Sequence, residues 1–392
     1  MFSISRFHAL TKHLPRGTFE EAVTRHGADR RAKGFDRWQH LLVMMYAQWS
    51  GADSLRTVTA GFNAQASHHY HLGVRAVRRS TLADANARVP LAPFAELAGH
   101  LMGCVQRRVR REMAPLLMLL DSTSITLKGP GFDHWTFARR TTHTQGLKLH
   151  VLYDRARQAP CWSAFSHANV NDITAAQDLP LEAGQRYVFD KGYCDYAWWQ
   201  AIDTAGSHFV TRFKRNAALE VLQTRAVEEA ERAVILADEI VRFRHRHNRA
   251  GHTNPYEAPL RRVTVARPDH ATPLVLVTND RESPASVIAE HYKARWDIEL
   301  FFKWIKQHLR LKRFLGRSER AVKLQILTAL IAYLLVVLER HVHAPRMSLW
   351  LFLAELRASL FQRPAVEHHH RHVHQRRRRQ SELLLRQGGL FT

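Results

Sequence analysis

Residues 116–124 read LLMLLDSTS and residues 186–192 read RYVFDKG. Each is a short apolar run that stops at an aspartate, the first at Asp121 and the second at Asp190. Apolar runs of this length, bounded by turn-forming residues, read as buried strands. If the two strands are sheet neighbours, their terminal carboxylates converge on one place. Taken singly, each aspartate has a plainer reading, Asp121 as the start of an Asx turn before Ser-Thr-Ser and Asp190 as a turn cap.

Between these two stretches, residues 146–153, GLKLHVLY, alternate in the manner of a strand, and residues 162–167 supply a hairpin partner. Asp172 is placed to cap a helix through Ala175 and Ala176. A helix over 196–205 and a strand over 209–213 follow. Strands with interleaved helices indicate a mixed α/β domain. From residue 214 to about residue 283 short strands dominate, at 241–244, 261–265 and 274–277, which predicts a mainly β insertion. A long helix is expected from about 286 to 308 and another over 321–341.

The first hundred residues read as helical. Thr18 and Glu21 have capping-box spacing, Asp36 precedes an apolar-periodic stretch closed at Gly51, and Ser54 and Ser80 stand ahead of two further helices. Between the last two lies a basic and aromatic segment that includes Tyr70, Arg75, Arg78 and Arg79. A short helix, a turn and a second helix opening at Arg78-Arg79 have the spacing of a helix-turn-helix, which makes these arginines candidate DNA contacts. The alternative is a helical bundle whose basic side meets phosphates without reading bases. The expected division is therefore a helical DNA-binding domain over 1–108, a catalytic domain over 109–345, and a helical end with a His/Arg-rich tail over 346–392.

Composition supports a polyanionic partner. The 392 residues carry 58 Lys and Arg against 35 Asp and Glu, a formal charge of +23. Nucleic acid is the commonest partner for so basic a chain. Three cysteines, Cys104, Cys161 and Cys194, are too few and too scattered for a disulfide framework or a CxxC zinc site. The start of the chain lacks the pattern of a secretory signal. The longest apolar stretch, 326–338, is short for a membrane span and is expected to be a buried helix. A bacterial cytoplasmic location, with nucleoid association through DNA, and no membrane partner are expected. The run at 368–372 followed by four arginines at 376–379 reads as a solvated basic tail rather than a metal site.

The third carboxylate comes from residues 292–306, YKARWDIELFFKWIK. Tyr292, Arg295, Glu299 and Lys306 are spaced three, four and seven apart, which keeps them on one face of a helix. Ile298, Leu300, Phe301 and Ile305 are left for packing. An ordinary solvated ion-pair face accounts for Arg295 with Glu299. A carboxylate that binds metal, flanked by groups that hold phosphates, accounts for all four.

This spacing resembles the YREK signature of the IS-four family of insertion-sequence transposases. Residues 121–124 and 189–193 are similar to the strands carrying that family's first and second catalytic aspartates. Residues 325–335 resemble its C-terminal helix. Residues 33–35, 50–51, 54–56 and 80–86 resemble the helical domain preceding the catalytic one in one branch. The likeness spans about residues 1–340.

The resemblance implies an RNase H-like core with a β-rich insertion, catalytic carboxylates at Asp121, Asp190 and Glu299, and two Mg²⁺ or Mn²⁺ ions held by them. It implies that Tyr292, Arg295 and Lys306 grip the terminal phosphate of double-stranded DNA. It implies cut-and-paste transposition of an element whose terminal inverted repeats are bound: a nick by activated water, attack of the 3′-hydroxyl to form a hairpin, hairpin opening, and joining to target DNA. A homodimer is implied by the need to bring two element ends together. Some members stack a flipped base on a Trp in the insertion. No Trp stands between Trp199 and Trp296 here, so Phe243 or Tyr256 is the expected substitute. Lys148, on the alternating strand, is a further candidate DNA contact. Two rival readings are a structure-specific nuclease on the same core and a non-catalytic DNA-binding protein.

Overall fold

The structure is a computed structural model. It describes residues 5–30, 32–108, 116–213, 217–244, 253–268, 270–309, 311 and 313–362. The basic tail over 368–379 therefore lies outside the described residues. The chain divides into two compact units, Met1–Leu101 with His308–Thr392, and Met102–Gln307.

The first unit is helical. Helices α1 (Arg6–Thr11), α2 (Arg16–Arg25), α3 (Arg37–Ser50), α4 (Leu55–Asn63), α5 (Ala66–Leu72) and α6 (Arg79–Arg88) precede α7 (Ala92–Arg108), which carries the boundary. Asp36 caps α3 as its sequence indicates, accepting from Gln39 N at 2.7 Å, and the helix stops at Gly51 in the left-handed region at φ 70°. Ser54 caps α4 through a reciprocal box with Thr57. Two expected caps differ. Helix α2 begins at Arg16, leaving Thr18 inside it, and α6 begins at Arg79, leaving Ser80 inside it.

The expected division places residues 321–341 in the catalytic domain, but the helix there, Glu319–His343, packs in the first unit against α3 and α6. Gln48 Nε2 donates to Gln325 O at 3.1 Å, and Trp49 Nε1 donates to Ala332 O at 3.4 Å. Its apolar 18-residue window has a mean hydropathy of 2.2, enough to cross a membrane by length and composition, and 94% of that window is buried inside the protein. A helix apolar all round needs neighbours all round, and helices from near the start of the chain supply them. A last described helix, Leu349–Ala358, closes against it.

Among the described residues, the second unit is built on one nine-stranded sheet. Its strands are β1 (Leu117–Thr126), β2 (Gly146–Asp154), β3 (Ala159–His167), β4 (Arg186–Phe189), β5 (His208–Arg212), β6 (Leu219–Thr224), β7 (Ile235–Phe243), β8 (Leu260–Val265) and β9 (Leu274–Thr278). Helices α8 (Asp133–Thr136), α9 (Asp172–Ala176), α10 (Tyr196–Thr204), α11 (Ala285–Lys293) and α12 (Trp296–His308) complete it, the last ending at the boundary; α13 and α14 are the two helices of the first unit just described.

The strand order is β3-β2-β1-β4-β5-β9-β8-β7-β6. Strands β1, β2 and β3 form an antiparallel meander, and β1, β4 and β5 run parallel. The expected β insertion is present as β6 to β9, and it extends this same sheet, since β9 pairs antiparallel with β5. The insertion is pinned by a buried ion pair in which Arg261 donates to both oxygens of Asp238 at 2.8 Å. Trp198, Trp199, Phe189 and Phe209 form the apolar cluster beneath β4 and β5.

Candidate active site

Strand register brings the two aspartates together. The parallel pairing of β1 with β4 ends at Leu120 opposite Phe189, so the next residue on each strand is an aspartate, Asp121 and Asp190. Neighbouring strands lie about 4.8 Å apart, which makes the two backbones adjacent. The sequence places Asp121 at a strand end. In the structure β1 continues through Asp121 to Thr126, because β2 pairs along its whole length and sets Val151 opposite Asp121.

The helix after the insertion brings the third carboxylate. It is two helices rather than one. Between α11 and α12, Arg295 N donates to Tyr292 O at 3.1 Å and Asp297 N to Ala294 O at 2.9 Å. These bonds span three residues, so the turn is tightened and the single face expected from regular spacing is broken there. Three of the four stripe residues still meet. Arg295 donates from Nη2 to Glu299 Oε1 at 2.6 Å and from Nη1 to Asp121 Oδ2 at 3.3 Å. Tyr292 Oη lies 3.5 Å from Asp190 Oδ1. Lys306 instead donates to Ser124 O at 3.1 Å, further along β1. An ion pair between Asp297 and Arg155 at 2.8 Å holds the start of α12 to the β2–β3 turn.

Arg212 has no counterpart in the sequence reading. It closes β5, two residues beyond Val210, and donates to Asp190 Oδ1 at 2.6 Å. Its guanidinium carbon and that of Arg295 each lie 5.9 Å from the centre of the Tyr292 ring. The available signal is an arginine ending an apolar strand, FVTR, next to the strand that ends in Asp190. Trp296 is a second addition, 58% exposed beside Arg295. The insertion aromatics expected to face DNA are packed instead. Tyr256 is 2% exposed with its hydroxyl on Asp203 at 3.1 Å, and Phe243 packs on Tyr196. The insertion belongs to the main sheet, whose core takes up their rings.

The electrostatics of the cluster are lopsided. Burial, with help from Glu299 and Asp190, raises the Asp121 carboxyl to about 6 against the pull of Ser122 N and Arg295. Burial also pushes Asp190 upward, but its bond from Arg212 and the Lys191 backbone outweigh this and leave it lowered. Burial raises Tyr292.

Lys148 is turned to another partner. Its Nζ donates to Asp172 Oδ1 at 3.0 Å and Val170 O at 2.8 Å, and it is only 16% exposed. Asp172 thus leaves the capping position to Asn171 and binds Lys148 and Ser122 Oγ, the latter at 3.1 Å. Burial lowers the neighbouring His150 to about 4. Arg78 and Arg79 are exposed at the start of α6, in the other unit.

As a donor set, three carboxylates suit a hard divalent cation. In the present arrangement guanidinium groups engage all three. Among the described residues no group of three His, Cys, Asp or Glu side chains stands in metal-holding geometry. The residues fit a cation by chemistry, being three carboxylates of which Asp121 is raised chiefly by burial and only secondarily by Glu299 and Asp190.

The transposase DDE domain family matches residues 113–335, and a domain of unknown function (DUF4372) matches residues 3–75. A putative transposase y4zB of Sinorhizobium fredii is 42% identical over 72% of this chain and 77% of its own length. A probable transposase for insertion sequence element IS5377 of Geobacillus stearothermophilus is 26% identical over 66% of each. A putative transposase for insertion sequence element IS4SA of a Synechocystis strain is 29% identical over 38% of this chain and 40% of its own. A structure of the piggyBac transposase synaptic complex with hairpin DNA overlays with a TM-score of 0.49 at 12% identity, over 91% of this chain and 80% of that one. On the strength of a domain match over more than half its length and a 42% identical relative, the chain belongs to the DDE transposase family, polynucleotidyl transferases with endonuclease activity that depend in general on divalent metal.

Proposed function

We propose that the chain excises and reinserts an insertion sequence by cut-and-paste transposition, binding the element's terminal inverted repeats. Asp121, Asp190 and Glu299 are its catalytic carboxylates, and together they would hold two Mg²⁺ or Mn²⁺ ions. The observation that carries this reading is the register of β1 on β4, which sets the two aspartates side by side, with Arg295 tying Glu299 to Asp121. The order β3-β2-β1-β4-β5, an antiparallel meander continued by parallel strands, supports an RNase H-like core.

Bound divalent metal supplies Lewis-acid activation of the attacking oxygen and charge neutralisation at the phosphate. The chain's own residues do the rest. Arg295 and Arg212 are cations beside the carboxylates, and Tyr292 lies between their guanidinium groups; they orient the scissile phosphate. Lys306 holds the strand further along β1. The helical unit, with Arg78 and Arg79 exposed on it, binds the repeat, and two chains pair to bring two ends together. The protein acts in the bacterial cytoplasm, on nucleoid DNA.

The test is cleavage of a labelled duplex carrying the element's own terminal repeat, with Mg²⁺, by wild type and Glu299→Gln. Cutting at the boundary by wild type, with binding but no cutting by the variant, is expected. Equal cutting by both overturns the assignment of Glu299. Binding without cutting by both moves the protein to the non-catalytic class.

A further inference from the structure

We propose that the loop joining β1 to β2, residues 127–145, is a second DNA-backbone site, separate from the carboxylate cluster, in which Lys128 and Arg140 each take a phosphate. Its position relative to the cluster rests on the functional reading above; its binding of DNA does not.

The loop is basic and its shape is internally held. It contains Lys128, Arg139 and Arg140 against one acid, Asp133. Asp133 accepts from Gly129 N at 2.9 Å and from Gln145 Nε2 at 2.6 Å, so its carboxylate closes the base of the loop. Gln145 Nε2 also donates to Thr136 Oγ1 at 2.9 Å, and Thr136 Oγ1 to Leu127 O at 3.2 Å. At the tip, Thr141 N donates to Thr144 O at 2.8 Å and Thr144 N returns to Thr141 Oγ1 at 2.9 Å. On the loop lies an open cleft of about 920 Å³, lined among others by Lys128, Phe137, Arg140, His143 and three threonines. Cations and hydroxyls are the donors that contact DNA phosphates.

Phe137 explains how Arg140 is held. It is 55% exposed, and the Arg140 guanidinium carbon lies 3.5 Å from the centre of its ring. Arg140 Nη1 also donates to Phe137 O at 3.2 Å. A guanidinium held over a ring loses less freedom when it meets a phosphate.

The loop also lies on a line of cations along β1. Arg295 contacts Asp121, Lys306 contacts Ser124, and Lys128 stands two residues past the strand end. At about 3.3 Å per residue, Asp121 and Lys128 are separated by at most roughly 23 Å. That is about two-thirds of the roughly 34 Å turn of a duplex. A duplex cut at the carboxylates would thus present its backbone to the loop within one turn of the cut.

The experiment measures binding of the full chain to a fluorescein-labelled 30-base-pair duplex of random sequence, in EDTA so that no cutting occurs, across a range of NaCl concentrations. Removing one phosphate-binding cation is expected to reduce the slope of log affinity against log salt by about 0.9. Arg140→Ala and Lys128→Ala should each show that reduction, and the double variant about twice as much. Phe137→Leu keeps the charge, so it should weaken binding several-fold with the slope unchanged. All three side chains sit on the surface loop, and equal melting temperatures check that the variants fold. A wild-type slope and affinity in the double variant overturn the proposal. Cleavage of the terminal-repeat duplex by Glu299→Gln, whose loop is intact, is run separately and reports on the carboxylate cluster.

Discussion

Arg295 and Glu299, one helical turn apart, meet at 2.6 Å, and the same guanidinium reaches Asp121 at 3.3 Å. One arginine therefore joins two carboxylates that arrive from a helix and from a strand distant in the chain. Replacing it with methionine leaves two partly buried carboxylates without that cation. Metal-free Arg295→Met is expected to lose about 1.5–3 kcal/mol of stability, the range for hydrogen bonds to charged groups. Under the proposed function its cleavage rate falls by roughly 10²- to 10³-fold. Unchanged urea unfolding in EDTA would show that Arg295 does not hold the cluster.

Lys148 is committed to Asp172, so its removal is expected to lower stability and to leave DNA affinity in place. Lys148→Met should lower stability by about 1–3 kcal/mol, because Asp172 keeps its charge without its ammonium partner. The salt dependence of DNA binding should stay at the wild-type slope. A slope change equal to that of Arg140→Ala would return Lys148 to the DNA interface.

His40 makes the helical unit acid-sensitive. It is buried, and in the neutral form its Nε2 donates to Asn86 Oδ1 at 2.7 Å while Nδ1 accepts from Arg37 Nη1 at 3.4 Å. Burial and Arg37 lower it to about 3. The unfolded chain takes up a proton below pH 6.5 that the folded one refuses. The stability held above pH 6.5 is thus lost as pH falls toward 3, at about 1.4 kcal/mol per pH unit. Unfolding measured at about pH 7.5 and about pH 5 should show a larger drop for wild type than for His40→Gln. Identical drops would place the acid sensitivity elsewhere.

Gly146 starts β2 at φ +145°, and a Cβ there would stand 2.0 Å from Ile125 O. Neither the backbone conformation nor the space admits a side chain. Gly146→Ala is expected to cost roughly 3 kcal/mol or more. The loss should appear as a lower urea midpoint. A cost below about 1 kcal/mol would mean that the β1–β2 ladder shifts to make room.

Local patterning made much of the site legible. The apolar runs before Asp121 and Asp190 announced their strands, and their neighbouring register needed only that the strands pair in parallel. The spacing of Tyr292, Arg295 and Glu299 was enough to place them together, although the turn at Ala294–Arg295 breaks the helix between them. Arg212 is not legible in this way, because its meaning depends on β5 lying beside β4.

The order and type of most elements can be read from local sequence, because strand and helix periods are written within about ten or twenty consecutive residues. Tertiary structure decided the partners. It carried β1 past Asp121 to Thr126, because β2 supplies backbone bonds over that length. It drew Lys148 to Asp172 and packed Tyr256 and Phe243 into the sheet's core. It moved the apolar helix Glu319–His343 to the N-terminal helices, the neighbours able to cover it on all sides. Each of these depends on which distant segment meets a residue, and that is settled by burial and hydrogen-bond satisfaction in three dimensions rather than by neighbours along the chain.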